Sequence, residues 1–428
     1  MDNRVAIIGG GFSGTVLAAE LLKTSEEPLD ILWFERSGAF GAGLAYGTDE
    51  PSHLLNVPAG KMSAIADSPS HFADWLVSRQ IVGPEVVEHF FAPRRVYRVY
   101  LQELINEARE NPKHHASSLT QIAEEVVSVS EGSIVTKSGH KHQVGKAVLA
   151  TGYLPESSLS SELPTAFRSD QWLTSDVREI VLIGSGLTAI DAALSAFERY
   201  PRVRITAISR HGKIPSRFEF TSTFEPSSPP PMSCSRMALK WLRKEATVAG
   251  WHEVFSYMRP KWDSLWLNSS PEQQRQFLRH LRHRFDPLRH RIPPSSADKI
   301  ASYQQEGRFK VLCGTVVSAD ENTVNYTFGG VDGILAGDLV IDCSGQSLNW
   351  ERSQDALVSS LISSGKVLPG PHGTGIEVSL NLLVQDERGS STWLYAVGPI
   401  LRGQHWETTA VAEIRNQIST LKRELLGG

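Results

Sequence analysis

Val5-Ala6-Ile7-Ile8-Gly9-Gly10-Gly11-Phe12-Ser13-Gly14 is the stretch that decides the fold of this chain. Four apolar residues, three of them β-branched, read as a strand buried on both faces of a parallel sheet. Gly9, Gly11 and Gly14 follow, and Thr15 to Leu22 then reads as an apolar, Ala-rich helix. The glycines serve different ends. Gly9 permits a tight turn, Gly11 lets backbone approach a pyrophosphate, and Gly14 allows close packing of helix on strand. Phe12 and Ser13 stand at the helix N-terminus, whose free N–H groups favour an anion. The next apolar run, Asp30-Ile31-Leu32-Trp33-Phe34-Glu35, is a second strand ending in an acid, and Glu35 with the following Arg36 is expected to bind the first cofactor. An acid about 20 residues past the last glycine completes the dinucleotide-binding βαβ pattern, and Glu35 is positioned to accept hydrogen bonds from ribose hydroxyls.

The chain then repeats its opening. Ile180-Val181-Leu182-Ile183 enters Gly184-Ser185-Gly186-Leu187-Thr188-Ala189 and another Ala-rich helix, and Val203 to Ser209 is the strand that completes the second unit. Its end differs: where Glu35 stood, this copy offers Ser209-Arg210-His211-Gly212-Lys213. An acid there would repel a 2′-phosphate, whereas a guanidinium pairs with one, which points to NADPH over NADH. The plainer alternative is a solvated basic loop end.

Working outward, the chain has 428 residues, 40% apolar and 21% charged, with 43 Lys+Arg against 47 Asp+Glu for a net charge of −4. Such a length suggests two to three domains, and the composition excludes a fibrous, disordered or disulfide-stapled chain. A dedicated nucleic-acid binder would show a strong basic excess. Cys234, Cys313 and Cys343 stand far apart, in no metal-ligand or disulfide spacing. No charged leader with an apolar core precedes the first strand, and no apolar run reaches about 18 residues. The expectation is a cytoplasmic protein without metal, membrane or nucleic-acid partner.

Between the two glycine turns, residues 68–110 read as helical and 121–149 as short antiparallel strands ending in Ala147-Val148-Leu149-Ala150-Thr151-Gly152. Beyond the second unit, Pro226-Ser227-Ser228-Pro229-Pro230-Pro231 excludes helix and central strand. Residues 236–285 are helical and rich in Trp and Arg. Strands resume at 309–345 and at Trp393–Gly398, and Ala410 to Leu426 is a closing helix. The fold class expected is α/β with two Rossmann-like units: residues 1–165 and 343–428 for FAD, interrupted by 166–342 for NADP, with a helical insertion at about 215–300.

Ala150-Thr151-Gly152, Asp342-Cys343-Ser344-Gly345 and Gly398-Pro399 look like the crossing segments and the closing flavin contact of two-dinucleotide-binding flavoproteins. Within that superfamily the chain resembles the FAD/NAD(P)-binding proteins that include bacterial L-aspartate N-monooxygenases and a type of FAD-dependent urate hydroxylase. The residues that carry the resemblance are Gly43-Leu44-Ala45-Tyr46-Gly47, Leu54 to Ser63, Phe277 to Arg282, Arg289-His290-Arg291-Ile292 with Pro294, and Arg402 to Ala410. The resemblance implies NADPH- and dioxygen-dependent hydroxylation of a small, polar, anionic, nitrogen-containing metabolite, an amino-acid amine or a purine such as urate, through a flavin C4a-hydroperoxide. It also implies that Asn56, Lys61, Met62, Thr151, Gly152, Gly398 and Thr408 contact the FAD, with Gly184, Gly186, Leu187, Thr188, Ser209 and Arg210 on the NADPH. The hard chemistry would belong to the cofactor, so no catalytic acid–base pair is expected from the protein. An NAD(P)H oxidoreductase without oxygenation, and a flavin-bound redox sensor, are the alternatives. Disulfide reductases of this fold need a cysteine pair that this chain lacks. The Phe-x-Gly-x-x-x-His signature of Baeyer–Villiger enzymes is not met by Phe167 to Trp172.

Residues 279–291 concentrate five Arg and three His, interleaved with apolar Leu281, Phe285 and Leu288 at helical spacing. One face is expected to pack. The rest is either a solvated basic face or an anion pocket, with Arg289, His290 and Arg291 on the substrate in a loop made rigid by Pro287, Pro293 and Pro294, which would end the preceding helix. Trp241, Trp251, Trp262 and Trp266 are expected in the core of the insertion rather than in an aromatic cage.

Overall fold

A computed structural model of the chain describes residues 3–153, 163–166, 176–221, 223–345 and 348–427. Residues 167–172, the interval of the unmet Phe-x-Gly-x-x-x-His signature, lie outside the described residues. The chain divides into two compact units: Met1–Asp49 with Pro58–Pro155 and Gln346–Gly428, and Glu50–Val57 with Glu156–Gly345. The short run Glu50–Val57 thus groups with the second unit.

The first unit is built on a sheet with the spatial order Leu383–Asp386, Gly389–Ala396, Lys146–Leu149, Arg4–Ile8, Asp30–Phe34, Ser118–Ile122. All neighbours run parallel except the first pair. The helix Phe12–Thr24 is buried along nearly all its length because it is covered by both Arg94–Glu110 and Val411–Leu426. That explains a helix apolar on every side. Leu17 and Leu21 within it are fully buried, each contributing about 1.5–3 kcal/mol. Of the stretch read as short antiparallel strands, only Val126–Ser130, Ser133–Thr136 and Lys141–Gln143 form an antiparallel meander. Ser118–Ile122 and Lys146–Leu149 join the parallel sheet instead, the latter as an apolar run buried on both faces.

The second unit repeats the plan with Phe309–Cys313, Arg204–Ser209, Glu179–Ile183 and Leu339–Asp342, all parallel. One face packs on the helices Leu187–Arg199 and Pro294–Gln305, where Phe197 and Tyr303 stack at 3.7 Å between ring centroids. The other face, with Val181, Ile183, Ile208 and Val340, packs on the meander Thr315–Ala319, Thr323–Phe328, Val331–Ala336.

The insertion consists of Arg236–Ala249, Trp251–Met258, Trp262–Leu267, Pro271–His280 and Arg282–Arg289. Its core is aromatic: Phe255, Trp262 and Phe285 lie 5.0–5.3 Å apart, and Phe277 joins Phe285 at 5.4 Å. Trp241, Trp262 and Trp266 are buried, whereas Trp251, opening its helix right after Gly250, is 37% exposed. The prolines act differently from expectation. Pro287 lies inside the helix Arg282–Arg289, and Pro294 opens the next helix at its first position, where a missing N–H is harmless. No helix among the described residues is long and apolar enough to cross a membrane.

Candidate dinucleotide sites

In both units the glycine turn leaves the sheet at the place where strand order reverses, between two strands whose connections depart in opposite directions. Nucleotides bind at such switch points in open α/β sheets. In the first unit Ile8 lies beside Leu149, so Gly9 emerges next to Ala150. In the second, Ile183 lies beside Asp342, and Gly184 emerges next to Cys343. The Gly9 N–H donates to the Phe34 carbonyl at 2.8 Å, as the Gly184 N–H does to the Ile208 carbonyl. Gly9 has φ +121° and Gly184 φ +117°, and a Cβ on either would stand 2.3 Å from a backbone carbonyl oxygen, of Ala150 or Cys343. Both positions therefore require glycine.

The middle glycines cap the two helices with φ −79° at Gly11 and −81° at Gly186, and ψ −165° at both. Neither helix has a capping side chain or an acid in its first turn, so its leading N–H groups are available to an anion. A Cβ on Gly11 would meet nothing closer than the Gly43 Cα at 3.5 Å, and one on Gly186 nothing within 4 Å. The protein leaves open the space in which a pyrophosphate would approach. Gly14 packs hard against the turn: a Cβ there would lie 2.0 Å from the Gly9 oxygen, which also accepts from the Trp33 indole at 2.9 Å. In the second unit Ala189, fully buried, takes the place of Gly14.

Beyond the turns the units diverge. Glu35 accepts from the Gly10 N–H at 2.7 Å and, through its other oxygen, from the Ser37 N–H and hydroxyl at 2.9 and 2.7 Å. It braces the turn, and its free lone pairs are those available to a ribose. Arg36 faces carboxylates: Asp355 at 2.9 Å and Glu125 at 3.4 Å. In the second unit Ser209 replaces the acid, its hydroxyl 2.7 Å from that of Ser185. Arg210 is exposed and has no ion-pair partner among the described residues.

The remaining flavin candidates scatter more. Phe12 and Ser13 are buried at the first helix N-terminus, and the Ser13 hydroxyl would lie 2.5 Å from a Cβ on Gly398 (φ +90°). Thr408 is buried; its hydroxyl donates to the Gly398 carbonyl at 2.8 Å and accepts from Gln417 at 2.8 Å, so it holds the Gly398 turn. The Thr151 hydroxyl oxygen is buried with no hydrogen-bond partner among the described residues, beside Gly152 (φ +66°). An orphaned hydroxyl next to an open glycine turn fits a bound polar group. Lys61 is exposed at the end of the turn Ala59–Lys61, and Met62 is buried with its carbonyl accepting from the Tyr97 hydroxyl. Asn56 belongs to the second unit. There His53 anchors its segment, the ring Nε2 lying 2.8 Å from the Ser195 hydroxyl and 3.1 Å from the Asp191 carbonyl. Leu187 and Thr188 form the first turn of the second helix.

Arg289 ends its helix and His290 caps it, but Arg291 turns inward and is 7% exposed. Its guanidinium donates to the Leu288 carbonyl at 2.8 Å and the His252 carbonyl at 3.1 Å, and burial lowers its pKa to about 10. Sequence periodicity does not register this inward turn, since a basic residue in a loop ordinarily reads as exposed. Nor does it register the stacking of His211 on His283, with ring centroids 4.0 Å apart. The three cysteines are free, and no cluster of metal-ligating side chains occurs among the described residues.

Residues 6–154 match a protein family described as FAD-NAD(P)-binding. No curated protein matches the chain. Among solved structures the chain is similar to an ornithine hydroxylase from Pseudomonas aeruginosa, with TM-score 0.66 and 15% identity over 99% of this chain and 98% of that one. An ornithine N-hydroxylase from Kutzneria sp. 744, solved with reduced FAD, NADP+ and L-ornithine, gives 0.65 and 15% over 98% of both chains. An L-lysine 6-monooxygenase from Pseudomonas syringae gives 0.63 and 16% over 99% and 100%. At these identities the likeness establishes the fold, an α/β arrangement with two dinucleotide units.

Proposed function

We propose that the chain is an FAD-dependent, NADPH-using monooxygenase that hydroxylates a small polar amine or other nitrogen-containing metabolite. The observation that carries this reading is the duplicated glycine turn, with matching torsion angles at Gly9 and Gly184 and at Gly11 and Gly186, that ends in an acid in one unit and in Ser209-Arg210 in the other. The full-length likeness to amine N-hydroxylases supports it. FAD, when bound, supplies the activation of dioxygen. The protein's own residues bind and orient. The helix starting at Phe12 holds a pyrophosphate with its N–H groups, Glu35 takes ribose hydroxyls, and the Thr151 hydroxyl and the Gly398 turn close on the flavin. Gly184, Gly186, Leu187 and Thr188 hold the second pyrophosphate, and Arg210 selects the 2′-phosphate.

The finer reading is an anionic substrate, an amino-acid amine or a purine of urate type, with Arg289 and His290 supplying the counter-charge. Arg291, tied to two carbonyls, would brace that turn from beneath. The test is NADPH oxidation by FAD-loaded protein against a panel of amines, amino acids and purines, with products weighed under labelled dioxygen. Substrate-stimulated oxidation with one labelled oxygen in the product is expected. Oxidation without incorporation would mean electron transfer to a carrier, and no turnover with any acceptor would mean a sensor or binding protein. Arg289→Ala should abolish stimulation and leave flavin content intact; unchanged stimulation would remove the anion pocket.

A further inference from the structure

The stacked imidazoles of His211 and His283 have no role in the proposal above. His211 follows Arg210 in the loop after the strand Arg204–Ser209, and His283 lies in the first turn of the helix Arg282–Arg289 of the insertion. Their rings are 4.0 Å apart at 24°. The loop is fastened to the nucleotide turn. The Ser185 hydroxyl donates to the Lys213 carbonyl at 2.5 Å and meets Ser209 at 2.7 Å, and the Gly212 N–H donates to the Ser209 hydroxyl at 3.2 Å. On the other side the Cys313 thiol donates to the Arg210 carbonyl at 3.1 Å. His211 is thus held one residue beyond the arginine placed on the 2′-phosphate, with His283 stacked on it.

Among the described residues, the charged neighbours that act on the pair are cations and imidazoles. Arg210 and Lys213 act on His211; His211, Lys213, Arg284 and His280 act on His283. Partial burial and then these charges hold both rings below the ordinary histidine value. A stack of two imidazoles among cations resists taking up a proton, because like charges close together disfavour it. A phosphate dianion reverses that balance and makes a protonated ring a charge-assisted donor.

We propose that His211 and His283 form a proton-linked site for the 2′-phosphate of the dinucleotide, so that this chain takes up a proton when it binds the phosphorylated cofactor and none when it binds the unphosphorylated one. This rests on the reading of the second unit as an NADP site. Affinity for the phosphorylated cofactor should fall as pH rises above neutrality, since each step upward makes the ring proton harder to recruit. Below about pH 6 the phosphate itself takes a proton and the gain levels off.

Calorimetric titration of FAD-loaded protein with NADP+ and NAD+, in buffers of different ionisation enthalpy at pH ~7.5, reads the proton directly. About one proton taken up per NADP+ and none per NAD+ is expected. His211→Gln and His283→Gln should each remove most of that uptake and lower the ratio of NADP+ to NAD+ affinity by about tenfold or more. His211→Lys, carrying a fixed charge, should bind NADP+ without proton uptake and with affinity nearly independent of pH. Arg210→Ala should weaken NADP+ and still take up the proton. NADP+ binding without uptake in the wild type, or uptake unchanged in both Gln variants, overturns the proposal alone. If neither dinucleotide binds, the assignment of the second unit falls with it.

Discussion

Set side by side, the two glycine turns agree in backbone to within a few degrees and differ in what the neighbouring strand delivers. In the first unit the carboxylate of Glu35 grips the Gly10 N–H, and Arg36 is neutralised by Asp355 and Glu125. In the second the corresponding grip is made by two hydroxyls, Ser185 and Ser209, and Arg210 faces solvent with His211 and Lys213 around it. A carboxylate repels a phosphate and suits a ribose diol; a hydroxyl pair is indifferent and leaves the nearby cations to act. Backbone geometry makes both units receptive to a dinucleotide. On the function proposed, charge beyond the turn selects which one.

The largest effect should come from the middle glycines. Gly11→Val fills the space left for the first pyrophosphate, and its Cβ would meet nothing closer than the Gly43 Cα at 3.5 Å, so the fold should survive and the FAD should be lost. Gly186→Val, in open space, should retain FAD and lose NADPH binding. Flavin absorbance and cofactor titration of both purified variants check this. A Gly11→Val protein that remains yellow would break the parallel between the turns.

Next comes the contrast between the two arginines. Arg210→Ala should raise the KM for NADPH by a factor equivalent to about 1.5–3 kcal/mol, the usual value of a hydrogen bond to a charged group, with NADH use nearly unchanged. Arg36→Ala should leave both KM values alone and lower thermal stability by about 0.5–1 kcal/mol, as for an ion pair partly open to water. Equal loss with both cofactors in the first variant would make Arg210 a structural residue. Loss of flavin in the second would return Arg36 to the cofactor.

The smallest expected loss of cofactor binding belongs to Glu35→Gln. The amide oxygen still accepts from Gly10, but the amide nitrogen that replaces the other oxygen cannot accept from the Ser37 N–H, and the charge that favours a ribose diol is gone, so stability and FAD affinity should each fall by about 1 kcal/mol. Differential scanning calorimetry and flavin titration read the two separately. A loss in stability alone would identify Glu35 as a brace of the turn and nothing more.

Much of this was legible from the chain itself. Glycines at fixed offsets between a β-branched run and an Ala-rich run report local backbone geometry, and local geometry is what a short sequence window encodes. The two βαβ units, the helical insertion, the Ser209-Arg210 substitution and the absence of paired cysteines all follow from such windows. Pro287 misled: it lies inside the helix Arg282–Arg289, whose Phe285 packs on Trp262.

What tertiary structure alone decided concerns partners rather than elements. That Arg36 is neutralised while Arg210 is not depends on Asp355, which comes from the far end of the chain. The inward turn of Arg291, the Thr408 clasp on Gly398, the grouping of Glu50–Val57 with the second unit and the His211–His283 stack have the same origin. Turn chemistry and periodicity act over a few residues, so they are written in order along the chain. Burial and pairing of a side chain depend on residues brought together only once each unit has closed, and no spacing in the sequence records them.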